Sequence, residues 1–365
     1  MHMADALLSP AIGIAFWAAS GAALAISSSK VRSDQREYLV PLMGVLGAFV
    51  FAAMMINFTI PGTGSSGHIG GGLLLSILLG PYAAFVVIAS VLTVQALFFA
   101  DGGLLALGAN IFNLGVFPCF IGLPLIYRPL MKRAGALTSK RRMAAITVLA
   151  TVISLQLGAL GVVTQTQLSG ISSLPLSAFL LLMQPIHLAI GLIEGLATAA
   201  LIHFVREARP DLFVDEGATG VPSLASKLPT KLIVSLGVLA LVTAGVFSWF
   251  ASSQPDGLEW SIARVTGHPE LEATETSVHT KLAGLQRALT LFPDYKFSLD
   301  AKDAAAEPAT PKDGKAVAAE AWPAIDAGAS LAGVIGGLAT LSLVTLVAYL
   351  LRRRRNVAVS VGTSD

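Results

Sequence analysis

A single cysteine, Cys119, stands among 365 residues, so no disulfide can form within the chain and no thiolate cluster can hold a metal. Charge is scarce too. Asp, Glu, Lys and Arg make up 13% of the chain, against about 25% in an ordinary soluble domain. Hydrophobic residues make up 54%, a surface that water cannot dissolve unless much of it faces lipid. The net charge of +2, with its basic residues scattered, excludes a nucleic-acid footprint. No Gly-x-x-x-x-Gly-Lys-Ser/Thr loop and no His-Glu-x-x-His pair occurs, so nothing here hydrolyses ATP, and uphill transport would need a partner. No serine, cysteine or paired-carboxylate arrangement stands out as catalytic, and the chain is not expected to be an enzyme. Lys and Arg are also missing ahead of the first apolar run, where Asp5 is the first charge. Lys30, Arg32 and Arg36 follow that run instead. This is the reverse of a signal peptide; it predicts a retained helix and an N-terminus on the outer side.

Crossing a hydrocarbon core of ~30 Å takes about 20 apolar residues as helix. Runs of that kind lie near residues 7–28, 39–58, 82–99, 104–126, 144–163, 178–204, 232–250 and 328–351. A further run, 69–80, is short and glycine-rich and ends at Pro81. The strongest basic loop holds Arg128, Lys132, Arg133, Lys140, Arg141 and Arg142, followed by Arg206, Arg209, Lys227 and Lys231, and last by Arg352–Arg355. All fall inside only if 69–80 counts as a crossing, as a short or distorted helix shielded by protein. The expectation is an all-α integral membrane protein of the cell membrane with about nine transmembrane helices. Residues 1–210 form a seven-helix core, 211–231 a cytoplasmic linker, and 232–355 a two-helix part carrying an extracytoplasmic segment, 251–326. Within that segment 301–315 is rich in Ala, Pro and charge and reads as a solvated linker. The N-terminus lies outside and the C-terminus inside.

This topology gathers 1–5, 59–68 and the Asp101-Gly-Gly turn on the outer side. His2 follows Met1, which should survive processing because His is large. The Met1 amine, the deprotonated His2 amide and the His2 imidazole would close two fused chelate rings in one plane. Tetragonal nitrogen sites suit Ni(II) or Cu(II), whereas Zn(II) prefers a tetrahedron. His68 closes the glycine-rich stretch from Asn57 through Ser66 and can supply a fourth nitrogen. The competing reading is a capping histidine in a flexible loop.

Polar groups inside the membrane carry a cost unless partnered. His187 and Glu194 lie seven apart and share one helix face, while Gln95, Asp101, Asn110 and Asn113 flank the glycine turn. Asp101 or Glu194 can orient a ligating histidine. For Glu194, Gln95 and Asn110, interhelical hydrogen bonding is the stronger reading. His203 reads as interfacial, and His268 and His279 fall in the outer segment. Asp256 and Glu259 have capping-box spacing. Ala11, Ala15, Ala19 and Ala23 recur every four residues and would admit a close helix neighbour, or reflect an alanine-rich segment by chance.

Together Met1-His-Met-Ala-Asp5, the 57–68 loop, the stretch from Gln95 through Asp101 to Asn110, and His187 with Glu194 resemble the NikM/CbiM substrate-capture subunits of energy-coupling factor (ECF) nickel and cobalt transporters. The last two helices, with Pro255-Asp-Gly-Leu-Glu259, resemble the NikN/NikL-type companion, fused at the C-terminus. The resemblance implies a binding subunit that works with a transmembrane coupling (T) protein and two cytoplasmic ATPases. It also implies a metal held by Met1, His2 and His68. The glycine loop departs from the family's usual Gly-Thr-Ser-Gly-His, and Met3-Ala4 replaces a usual Ile-Pro. The transported substrate is expected to be Ni2+, with Co2+ for cobalamin synthesis as the alternative, and no organic cofactor. A membrane metalloenzyme would need an open coordination position and a nearby base. A secondary carrier would need a continuous polar path. Binding is expected to weaken as pH falls through the ordinary histidine range near ~6.5.

Overall fold

The structure is a computed structural model that describes residues 2–34, 36, 38–135, 138–172, 174–208, 230–269, 271, 276–296 and 323–361. Met1, most of the 211–231 linker and the 301–315 stretch lie outside the described residues.

Long apolar helices dominate. Ser9 and Pro10 open α1 (Pro10–Ser33), where the fixed φ of proline suits the first helical position. It is followed by α2 (Leu39–Met54), α3 (Gly72–Leu79), α4 (Pro81–Phe98), α5 (Leu107–Ala134), α6 (Lys140–Ser169) and α7 (Leu176–Ala208). Next come α8 (Thr230–Gly245), two short helices α9 (Gly257–Thr266) and α10 (Ser277–Leu289), and α11 (Ala327–Val361). Among the described residues six helices are long and apolar enough to cross a membrane, and α2 and α8 are shorter apolar helices. The run at 69–80 forms only the eight residues of α3, almost wholly buried, which span ~12 Å.

The helices are polar inward and apolar outward. On α7, Leu181 and Leu196 are 72% and 61% exposed, whereas His187 and Glu194 are buried. A protein in water would reverse that arrangement; lipid favours it. The two C-terminal apolar helices join the others through small residues. A side chain at Gly44 of α2 would press on Thr345, and one at Gly333 of α11 would press on Met55. At the far end Arg352 donates to the Arg36 carbonyl (2.8 Å).

Several boundaries differ from the sequence reading. The first run does not start a helix at Leu7; Asp5–Leu7 is a separate short turn and α1 begins at Pro10. On α1 it is Gly13, Ser20 and Ser27 that are buried, while Ala11, Ala15 and Ala19 are exposed. Ser20 donates to the Gly108 carbonyl (2.6 Å) and Trp17 to that of Leu104 (3.0 Å). Helix α1 therefore turns its hydrogen-bonding face inward and its alanine ridge outward.

Residues 58–67, expected as a loop, form a two-stranded hairpin. Strands β1 (Phe58–Ile60) and β2 (Ser65–Gly67) pair antiparallel, with Thr59 opposite Ser66. Gly62 and Gly64 make the turn with φ of 77° and 75°, a region side chains rarely enter.

Candidate metal centre

His2, His68 and Asp101 meet at one end of the bundle. The segment that carries His2 is held by its backbone. Asn110 accepts from the Met3 amide (2.8 Å) and donates to the Met3 carbonyl (3.1 Å). Gly103 donates to the same carbonyl (3.0 Å). Asp5 accepts from the Ala106 amide at 2.9 Å. The glycine turn is required here, because a side chain at Gly103 would collide with the Asp5 carboxylate. These bonds seat the segment against the glycine turn.

His2 Nδ1 lies 3.1 Å from Asp101 Oδ1. Tyr295 donates to Asp101 Oδ2 (2.6 Å), and Gln95 donates to the Tyr295 hydroxyl (2.9 Å). With a carboxylate as acceptor, Nδ1 carries the proton and Nε2 the lone pair. That Nε2 has no hydrogen-bond partner among the described residues. The His2 and His68 rings stack with centroids 5.0 Å apart and planes 18° from parallel. Burial pushes both imidazoles down to about 3, so both are neutral at ordinary pH. Both values lie below the ordinary histidine value of ~6.5 because the rings are buried. Burial also raises Asp101 above its usual range.

His68 follows β2 directly and is 8% exposed. Its hairpin is held by the segment ahead of α9. Ser66 donates from its amide to the Pro255 carbonyl (2.8 Å) and from its hydroxyl to that of Gln254 (2.7 Å). Trp260 donates to the Thr63 carbonyl at 3.0 Å. Asp256 caps α9 and forms the capping box with Glu259. It also lines, with His68 and His187, a cavity of about 10 Å³. Among the described residues no three His, Cys, Asp or Glu side chains cluster at metal-binding spacing.

The other expected residues are spread around this centre. Asn57 contributes its carbonyl, which accepts from the Ser252 amide (2.7 Å). Gln95 and Asn110 serve in the hydrogen bonds above. His187 pairs through Nδ1 with the Met183 carbonyl (2.8 Å), one turn back along α7. Glu194 accepts from the Gly71 amide (2.9 Å) at the start of α3. Sequence reasoning missed Tyr295 and Gln286, whose amide donates to the Gly102 and Ala96 carbonyls at 2.7 and 2.9 Å. It placed His279 in a soluble part, yet His279 is buried, with Nε2 2.9 Å from the Leu8 carbonyl.

Fold and site define a multi-pass helical membrane protein with a histidine pair sealed at one mouth. Residues 2–212 match the family described as the cobalt uptake substrate-specific transmembrane region, CbiM, and residues 230–353 match the PDGLE domain. The chain belongs to the CbiM family, here followed by a PDGLE domain. It is 36% identical over 225 residues to a putative fused nickel transport protein NikMN of Archaeoglobus fulgidus, covering 62% of this chain and 72% of the relative. Identity is 31% over 259 residues with a fused nickel transport protein NikMN of Rhodobacter capsulatus (67% and 74% covered). It is 32% over 225 residues with a cobalt transport protein CbiM of Sorangium cellulosum (58% and 94%). A crystal structure of a truncated transition metal transporter superposes with a TM-score of 0.50 at 29% identity, over 57% of this chain and 99% of that one.

Proposed function

We propose that this chain is the substrate-capture membrane subunit of an ECF-type nickel uptake transporter, with Ni2+ bound by the Met1 amine, the His2 amide and imidazole, and His68. The observation that carries this reading is the stacking of two buried, neutral imidazoles, His2 and His68, at one mouth. Only a neutral imidazole offers a metal its lone pair. The fused nickel transport relatives support nickel, and the cobalt transport relative keeps cobalt as the second reading.

In a chelate closed by the amine and the His2 amide, the ring nitrogen that completes it is Nδ1. Asp101 holds that nitrogen in this structure. Metal capture then moves the ring proton from Nδ1 to Nε2, with Asp101 at hand to relay it, turns the ring about its Cβ–Cγ bond to present Nδ1 to the ion, and leaves Asp101 to accept from Nε2–H. A carboxylate behind a ligating histidine fixes the ring and raises its basicity. The ion is cargo. A T protein and two ATPases supply the work of moving it inward, and the outward alanine ridge of α1 is suited to a close helix neighbour. The site mouth faces the cell exterior, the basic loops face the cytoplasm, and α3 counts among nine crossings in a seven-plus-two arrangement.

Nickel and cobalt titration of the full chain tests this, with the native N-terminus and with a few residues added before Met1. The native form should bind one ion tightly and the extended form should not. Equal binding by the two would remove the chelate from consideration.

A further inference from the structure

Below the mouth, α7 carries a row of buried polar atoms that the capture site does not use. His187, Glu194 and Thr198 are 1%, 4% and 2% exposed. His187 Nε2, Glu194 Oε2 and Thr198 Oγ1 have no hydrogen-bond partner among the described residues. Spacings of seven and then four residues stack them on one helix face.

Two adjoining cavities follow the His187–Glu194 part of this row. The first is the one lined by His68, Asp256 and His187. The second, about 20 Å³, is lined by Glu194, Asn113, Thr151 and Ser154, and shares Gly70, Leu114 and Leu155 with the first. Each has room for about one water-sized particle.

Among apolar neighbours such as Leu114, Pro118 and Leu155, the polar groups of the lining are one-sided. His187 Nδ1 faces a carbonyl, so it carries the proton and Nε2 is left as a lone-pair donor. Thr151 and Ser154 spend their hydroxyl protons on the carbonyls of Thr147 (2.9 Å) and Ala150 (2.7 Å), which leaves only lone pairs for the cavity. Glu194 spends Oε1 on the Gly71 amide and keeps Oε2. The Asn113 amide is satisfied in both directions by Gln165 (2.7 and 2.8 Å). Such a lining suits a cation, and an ionisable side chain within a membrane bundle calls for one.

The geometry points to a second, inner cation station at Glu194, Ser154 and Thr151, reached from the capture site past His187. This inference rests on the capture-site reading above and extends it inward. Oxygen ligands hold a divalent transition ion more loosely than a set of nitrogens does. An ion handed from the nitrogen site to the oxygen site therefore moves towards release, as passage through successive sites requires.

Glu194→Gln is the variant of choice, because its side-chain oxygen still accepts from Gly71 while the negative charge is gone. Nickel titration of the full chain is paired with nickel accumulation by cells whose uptake depends on it. The expected result is unchanged tight binding and an uptake rate lower by on the order of tenfold. A normal uptake rate would overturn the station, since it would mean the cavity holds only water. Loss of tight binding would also overturn it, by reducing Glu194 to an anchor for the His68 hairpin.

Cobalt(II) titration gives the direct readout. With the outer site disabled by an N-terminal extension together with His68→Ala, weak saturable binding should persist, and it should vanish when Glu194→Gln is added. Weak binding in both forms, or in neither, counts against the station. Failure of the capture-site reading looks different: the wild-type chain would then bind nickel equally well with and without an N-terminal extension.

Discussion

Asp101 accepts from His2 on one carboxylate oxygen and from Tyr295 on the other, at 3.1 and 2.6 Å. A residue near the start of the chain and one from the C-terminal part thus share a single carboxylate. The proposed capture site is consequently built by both halves of the protein, although the histidines come from only one.

The carboxylate should matter to affinity. Asp101→Asn keeps the size of the side chain and removes the charge that holds the His2 ring. Nickel affinity should fall by about 10- to 100-fold with the fold preserved. Calorimetric titration alongside circular dichroism checks this, and an unchanged Kd would separate Asp101 from the site.

Proton counting tests the burial of the imidazoles. Both titrate near 3, so neither releases a proton when a metal binds at pH 6. The amine (ordinary pKa ~7.7–8.0) and the amide then account for about two protons released. Calorimetry in buffers of differing ionisation enthalpy measures the number; a value of three or four would mean charged imidazoles and an open site.

The same depressed values carry a stability consequence. The unfolded chain takes up imidazole protons from about 6.5 downwards, whereas the folded histidines do so only near 3. Between those values the unfolded state binds more protons, so stability falls as pH falls, by roughly 1.4 kcal/mol per unit for each histidine. Melting temperatures from pH 7 to 4 should drop more steeply for the native chain than for a His68→Phe variant. Parallel curves would rule out a buried neutral His68.

Asn110 anchors the N-terminal segment by two bonds to Met3. Asn110→Ala removes both, at about 0.5–1.5 kcal/mol each. Amide exchange at Met3 and Gly103 should speed up, with nickel binding weakened in step. Exchange that stayed slow would show that other contacts seat the segment.

Orientation can be read chemically because Cys119 is the only cysteine and is buried. In a Cys119→Ser background, a cysteine at exposed Gln254 should react with an impermeant maleimide added outside whole cells. One at exposed Lys132 should react only after lysis. The reverse pattern would invert the topology.

How much of this could the sequence tell? Helices announced themselves by length and apolarity, and the charge-poor runs needed no context. His2 and His68 stood out by type and setting. Local devices such as the Asp256–Glu259 capping box were legible because every participant lies within a few residues. Long-range pairings were not. Tyr295 and Asp101 are 194 positions apart, and Gln165 and Asn113 are 52 apart, with no periodicity to connect them. The inward face of α1 was not legible, because alanine recurs everywhere in it and a four-residue alanine pattern hid the sparser seven-residue row of Gly13, Ser20 and Ser27. The hairpin escaped notice because each strand has only three residues and the glycines between them suggested a loop.

Elements α9 and α10 lie across the mouth, tied down at Ser66, Thr63, Gly102 and Leu8. The His2 side chain is only 6% exposed and His68 8%. On the proposed reading, an ion arriving from solution would meet a closed door, and its rate of association would be set by how often those ties open rather than by diffusion. The same closure would slow escape and give a captured ion a long residence time even where its equilibrium affinity is ordinary.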